Sequence, residues 1–423
     1  MGGSRLAELT RPQQAETGVQ DPVAHLCAAV FDSLPRADQR RKAELYVRGL
    51  LTAPGRKSMR SIAAHAGMAA GEQSLHHFIS CSTWDWQSVR EALAVYLERT
   101  AGLRAWVVKP MVIPKSGAHT VGVERRFDTR LGQMVNGQQA FGAWAVGDEV
   151  SAPVGWSLHL PDETTLADCA ARSVLDLTEP GMLRRLPVVL DAVHGGAEEL
   201  PQQFADAVLP FLMRIGAGTP LTVVDPQLPG IGRARSRAGA VMEAARMLRR
   251  PVRYPDGVDG SVRTAFTAAV RVETGGAGGA AARPLMLLAE WSDPRRRPDR
   301  YLLTDLVSAP PAGLLRLAEL SRRVDRDFAG ISERVGMRDF EGRSFHGWHR
   351  HVTLASAAHA VRTLEGEPHI TGGRPAGYPA AAGVPSTGQP VVAGHPTTGH
   401  PVVAGHPSAG RPVVAYDARK RSA

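Results

Sequence analysis

The chain has 423 residues, 43% hydrophobic and 22% charged, which supplies a buried core for two or three domains and excludes wholesale disorder. Lys+Arg 50 against Asp+Glu 41 leaves a net charge of +9, carried almost wholly by arginine, whose planar donors suit phosphate. Cys27, Cys81 and Cys169 are odd in number and far apart, which excludes a disulfide framework or cysteine zinc site, and no uncharged apolar run approaches a membrane span; a cytoplasmic protein with no membrane partner is expected.

Residues 1–22 are polar and read as a flexible arm. Residues 23–103 are helical in pattern. In FDSLPRADQRRKAELYVRGLL, Ser33 is placed to cap and Pro35 to sit in the first turn, with Leu45, Leu50 and Leu51 as the apolar stripe and Arg36, Arg40, Arg41 and Lys42 on the wet face. A short helix, RKSMRSIAAHAG, ends at Gly67, and EQSLHHFIS follows with Leu75, Phe78 and Ile79 apolar. Helix, glycine turn, helix predicts a helix-turn-helix-like DNA-binding region.

From residue 104 the texture becomes strand-like. AWVVKPMVIP predicts a buried strand bounded by Pro114, and HTVGVERRF, QQAFGAWAV and VGWSLHL predict three more. RSVLDL begins a helical stretch, LPVVLDAVHGG is a short apolar strand closed by an acid and a glycine turn, and LTVVD, PLMLLAEW and RYLLTDL are later strands. Gly313 to Val335 is strongly helical, with Leu317, Leu320, Val324, Phe328, Ile331 and Val335 at three- and four-residue steps; a second helix runs from about Gly347 to Leu364. The order predicts a mixed α/β fold rather than a barrel. GQPVVAGHPTT, GHPVVAGHPSA and GRPVVAYDARK, starting at Gly388, Gly399 and Gly410, form an 11-residue repeat whose prolines forbid a helix, so 366–423 reads as a disordered Gly/Pro-rich tail.

Chemistry enters at Asp191, which ends a buried strand and so presents a carboxylate at a sheet edge, as Mg²⁺ sites require. His346, His349 and His351, in FEGRSFHGWHRHVTL, have the look of metal-ligand spacing, but residues two apart on a helix do not share a face. Lys115, His119, Arg125 and Arg126 flank the first hairpin and are suited to phosphate or to guarding a sheet edge; His76 and His77 are placed to meet DNA backbone or to remain solvated. GGAGGAAA, 275–282, is a flexible loop without the context of a phosphate cradle.

Five blocks in one order, DQRRKAELYVRGLL, QSLHHFIS, PKSGAHTVGVERRF, GWSLHLP and FEGRSFHGWHRHVTL, resemble the DDE transposases of bacterial insertion sequences, in the branch named for insertion sequence seven-hundred-one. The resemblance implies an RNase H-like core over 104–365, a β-rich insertion at about 220–306, double-stranded DNA as partner, a second copy in a homodimer, and Mg²⁺ held by two aspartates and a glutamate. Carried over by motif, the first acid falls on Lys109, followed by Pro110; the second is kept as Asp191; the third is shortened to Asp325. The DNA contacts implied are Arg40, Arg41, Lys57, Arg60, His76, Lys115, Arg125, Arg126 and Arg343. Lys109 opposes a divalent cation and is expected to pair with Asp191 in its place, while Pro110 suits an edge better than a central strand. Asp128, Asp148, Asp225, Glu290 and Asp305 are the acids near strands that could replace the lost ligand. Three functions follow: a DNA-binding protein whose nuclease is lost, a nuclease with an atypical ligand set, or a cleft turned to a small anionic molecule.

Overall fold

The computed structural model describes residues 21–366, apart from 68–70, 116, 118–119, 129–131, 179–180, 182, 227, 229–234, 257–259 and 275–283. Arm residues 1–20, the tail from residue 367, His119 and the glycine loop at 275–282 lie outside the described residues, whereas the expected arm's last residue, Pro22, opens the first helix.

Five helices open the chain: α1 (Pro22–Phe31), α2 (Ala37–Thr52), α3 (Met59–His65), α4 (Glu72–Ser80) and α5 (Trp86–Thr100). Ser33 does not cap α2. The helix starts two residues after Pro35, with Arg36 at its N-cap, and the Ser33 hydroxyl donates to the Val30 carbonyl instead. The buried face of α2 is Ala43, Tyr46, Val47 and Leu50; Leu45 and Leu51 are only half-buried.

Strands β1 (Leu103–Pro114), β2 (Val123–Asp128), β3 (Gln133–Gly147) and β4 (Ser151–Leu158) follow, then α6 (Leu166–Thr178), β5 (Val188–Asp191), α7 (Leu200–Asp206) and β6 (Phe211–Ile215). The order β4-β3-β1-β5-β6 is antiparallel from β4 through β1 and parallel from β1 through β6. The sheet continues through β7 (Pro220–Val223), β8 (Arg235–Arg237), β9 (Arg250–Pro255), β10 (Val262–Glu273), β11 (Leu285–Trp291) and β12 (Arg300–Thr304), with α8 (Ala238–Ala244) between β8 and β9. Strand β12 returns to pair antiparallel with β6, so the added strands extend the sheet past β6. Helix α9 (Pro311–Asp327) then crosses one face, passes through a π-turn (Phe328–Ser332), and the chain ends its described part in α10 (Phe345–Leu364).

Strand β1 is central and buried on both faces. Trp106 and Val108 pack into a core shared with α6, α10 and the N-terminal helices, whereas Ala105 and Val107 pack beneath α9 with Val189 and Leu212. Pro110 sits in this strand without breaking the sheet. Pairing with β5 ends at Val108 opposite Leu190, so the proline lies where that side of β1 has no further ladder bond to make. Strand β4 is pressed so closely on α6 that a Cβ at Gly155 would meet the Ser173 carbonyl oxygen at 1.9 Å.

Helix α10 is buried continuously from Gly347 to Val361, which explains its lack of an amphipathic pattern. Its buried histidines are hydrogen-bonded internally. His351 Nε2 donates to the Gly336 carbonyl at 2.9 Å and its Nδ1 accepts from the Tyr46 hydroxyl at 2.9 Å. His359 does the same between the Ser151 carbonyl and the Ser332 hydroxyl, both at 2.9 Å. His349 Nδ1 accepts from buried Arg90 at 2.9 Å. These arrangements hold neutral rings, and burial pushes His351 and His359 down to about 4 and His349 well below its ordinary value.

Between pH 6.5 and about 4 the unfolded chain takes up protons that the folded chain refuses, so stability is complete above 6.5 and is lost as pH falls. His351 and His359 each account for about 3 kcal/mol of that loss. Thermal unfolding followed from pH 7.5 to 4.5 is expected to show a falling Tm, with a shallower fall in His359→Gln; equal slopes in the two proteins would contradict this assignment.

Candidate functional site

The register of three parallel strands builds the site. Lys109 follows Val108 on β1, which is level with Leu190 on β5, so Lys109 stands beside Asp191; Asp191 in turn pairs with Arg214 on β6. Alternation sends these three side chains to the face covered by α9, the face on which Val107, Val189 and Leu212 are buried. On α9, Ala318, Arg322 and Asp325 follow at helical spacing toward the same place. Together they line a cleft of about 370 Å³.

Asp191 and Asp325 are therefore brought together with Lys109, but the pairing differs from expectation. Lys109 Nζ lies 2.7 Å from Asp325, not on Asp191. Asp191 is already engaged: Oδ2 meets the Arg214 guanidinium at 3.3 Å, and Oδ1 accepts the Val193 N–H at 3.0 Å. Reasoning from sequence missed Arg214. Its signal was a lone cation in the apolar run FLMRI, the only exposed position of that strand.

Two cations against two carboxylates do not fit a divalent metal, which needs two or three acids free to ligate it. A monovalent cation held about 4 Å from a divalent ion opposes it by on the order of 8 kcal/mol at an effective dielectric near 20. Both pairs are substantially exposed, so as bonds they add only about 0–1 kcal/mol each to the fold. Their weight is electrostatic and local. Of the acids that could replace the lost ligand, Asp148 is paired with Arg104 and Arg316, Asp225 accepts the Arg271 N–H, and Asp305 accepts the Phe211 N–H. Glu290 does line the cleft, yet it is bonded to Arg300 and Tyr254. No group of three metal-ligating side chains occurs among the described residues. His349 and His351 are buried structural groups, and His346 is exposed against Trp86.

The cleft's other wall is a charge network tying α9 to the added strands. Arg300 bridges Glu290 and Glu319, the latter at 2.5 Å, and Arg322 joins Glu319 at 3.0 Å to Asp256 at 2.7 Å. Arg263 reaches the same two acids. Burial opposes the Arg300 charge, but Glu290 and Glu319 outweigh it and hold its pKa above the ordinary value; burial and the bond to Glu290 push the Tyr254 hydroxyl up to about 12.

Among the residues expected to meet DNA, the structure separates two groups. Arg41, Arg60, His76, Arg125 and Arg343 are exposed. The other four make internal hydrogen bonds. Arg40 donates to the Leu34 carbonyl at 2.6 Å and Lys115 to the Phe340 carbonyl at 2.6 Å. Arg126 is held by Glu124, Gln139 and His159, and Lys57 is buried with its ammonium on the Ala53 carbonyl. Burial, with the nearby Arg56 charge, lowers Lys115 to about 8.

Residues 29–274 match the family described as DDE superfamily endonuclease. Among solved structures, the piggyBac transposase synaptic complex with hairpin DNA is similar, with a TM-score of 0.35 and 10% sequence identity over 83% of this chain and 80% of that one. No curated protein sequence matches the chain. No helix among the described residues is long and apolar enough to cross a membrane.

The network makes a direct test of the wall. Arg300→Met leaves Glu290 and Glu319 buried with one guanidinium fewer, and is expected to cost about 3 kcal/mol in chemical denaturation. An unchanged midpoint and slope would show that Arg300 does not carry the network.

Proposed function

Since the chain belongs to the DDE superfamily endonucleases, we propose that it is a transposase-derived protein that binds double-stranded DNA and has given up metal-dependent cleavage and strand transfer. The observation that carries this reading is the double ion pair, Lys109 with Asp325 and Arg214 with Asp191, at the three positions where the family resemblance puts metal ligands. Asp191 and Asp325 are each paired with a cation of the same cleft, so these two acids are neutralised from within. An RNase H-like core is supported by the order β4-β3-β1-β5-β6 with β3 antiparallel to its two neighbours. The insertion-sequence origin is supported by the five blocks retained in one order between residues 38 and 354. A bacterial cytoplasmic site of action and a homodimer accompany that origin.

DNA binding rests on charge and exposure. The net charge is +9, and the exposed Arg41 and Arg60 on α2 and α3, His76 on α4, Arg125 on β2 and Arg343 ahead of α10 present donors to solvent. The loop carrying Arg343 reaches the start of β2, where its carbonyl accepts the Val121 N–H at 3.4 Å, so contacts from the hairpin and from this loop fall on one part of the surface.

Fluorescence anisotropy on a duplex across a salt series tests the reading. Log K is expected to fall by about 0.9 per neutralised phosphate against log salt, and Arg60→Ala or Arg125→Ala to reduce that slope by about one phosphate each. Absence of binding at low salt, or a flat salt dependence, would reject it.

A further inference from the structure

A second cavity, of about 480 Å³, shares no residue with the cleft. It is lined by the loop between α2 and α3, by the segment that leaves the π-turn and by the end of α10. Its charged lining is Lys57, Arg334 and Arg362 with one acid, Glu333. That acid is drawn to Arg338 at 2.5 Å. Leu51 and Ile331 add an apolar wall.

Lys57 is the unusual member. Only 5% of the residue is exposed, and its ammonium has one acceptor, the Ala53 carbonyl, with no carboxylate at ion-pair distance among the described residues. A buried ammonium carries three protons and is normally paired. The residue is also locked in place. Its backbone N–H donates to Asp339 at 2.8 Å, and its stem lies against Gly336, where φ is +74° and a Cβ would sit 2.2 Å from the lysine Cγ. Burial lowers the Lys57 pKa, the Asp339 charge opposes that shift, and the Arg362 and Arg334 charges add to it, so the three cations sense one another. Arg362 is steadied by donation to the Leu51 carbonyl at 2.9 Å.

Three neighbouring cations, one of them buried with no carboxylate at ion-pair distance of its ammonium among the described residues, match an anion with several oxygens and more than one charge. The volume exceeds that of phosphate alone and lies within the range of small-molecule sites. We propose that this cavity binds a phosphate monoester, its oxygens taken by Lys57, Arg334 and Arg362 and its organic part resting on Leu51 and Ile331. The site stands apart from the reading of the cleft and does not depend on it.

Calorimetry on the full chain with phenyl phosphate tests the proposal. Saturable binding at one site per chain is expected, weakened at least tenfold in Lys57→Met, which keeps the stem against Gly336, and in Arg334→Gln. If Lys57→Met does not fold, Arg334→Gln decides alone. No saturable binding to the wild type, or affinity unchanged in the variants, would overturn it. Displacement of phenyl phosphate by a 5′-phosphorylated duplex but not by its unphosphorylated twin would assign the phosphate to a DNA end. Displacement by neither would assign it to a free small molecule; both results retain the site.

Discussion

Lys109 reaches from the central strand to Asp325 on the helix above it, and the chemistry of the cleft turns on that contact. The same strand that supplies Lys109 is buried on both faces and pairs with β3 and β5, so the position of the cation is set by the sheet and not by a loop. Two strands further on, Arg214 of β6 pairs with Asp191 of the strand between them. As bonds these pairs are weak, being half-exposed. As charges they decide the outcome, because each opposes a divalent ion by several kcal/mol while leaving the fold almost untouched. Ion pairs of this kind can change the electrostatics of a cleft while leaving the architecture around it intact.

The rest of the cleft is organised to keep α9 in register with that strand. Glu319 and Glu290 are buried acids, tolerable only because Arg300, Arg322 and Arg263 surround them. Through them the strands β9 to β12 are tied to α9, so Asp325 and the added strands are positioned by one network. Behind the sheet, α10 anchors the opposite face by neutral histidines bonded to carbonyls, hydroxyls and Arg90. Ion pairs hold one side of the sheet; on the other, the buried cation Arg90 and neutral imidazoles are held by hydrogen bonds without a carboxylate partner among those bonds.

Much of this was legible in the sequence where apolar pattern and motif coincide. The strands around Lys109 and Asp191 and the long helix carrying Asp325 are readable from runs of Val and Leu and from three- and four-residue spacing. Strands β9 and β10 were not, since β9 carries two prolines and β10 is rich in alanine, threonine and arginine. The short β6 was missed too, and with it Arg214, whose meeting with Asp191 depends on strand register that no local pattern encodes. For the same reason the partner of Lys109 was misjudged: Asp191 is consumed by an arginine 23 residues away, leaving Asp325 for the lysine. Cations such as Lys57 and Arg126 looked like surface charge because burial of a long side chain is decided by tertiary packing.

In the proposed reading, Lys109 and Arg214 hold Asp325 and Asp191 and oppose a divalent ion between them. Titration calorimetry with Mn²⁺ addresses this opposition most directly, on the wild type beside the double variant Lys109→Asp with Arg214→Ala. The account predicts no saturable binding to the wild type and a saturable site in the double variant, which regains a third carboxylate and sheds both opposing charges. Saturable Mn²⁺ binding to the wild type that disappears in Asp191→Ala would contradict it.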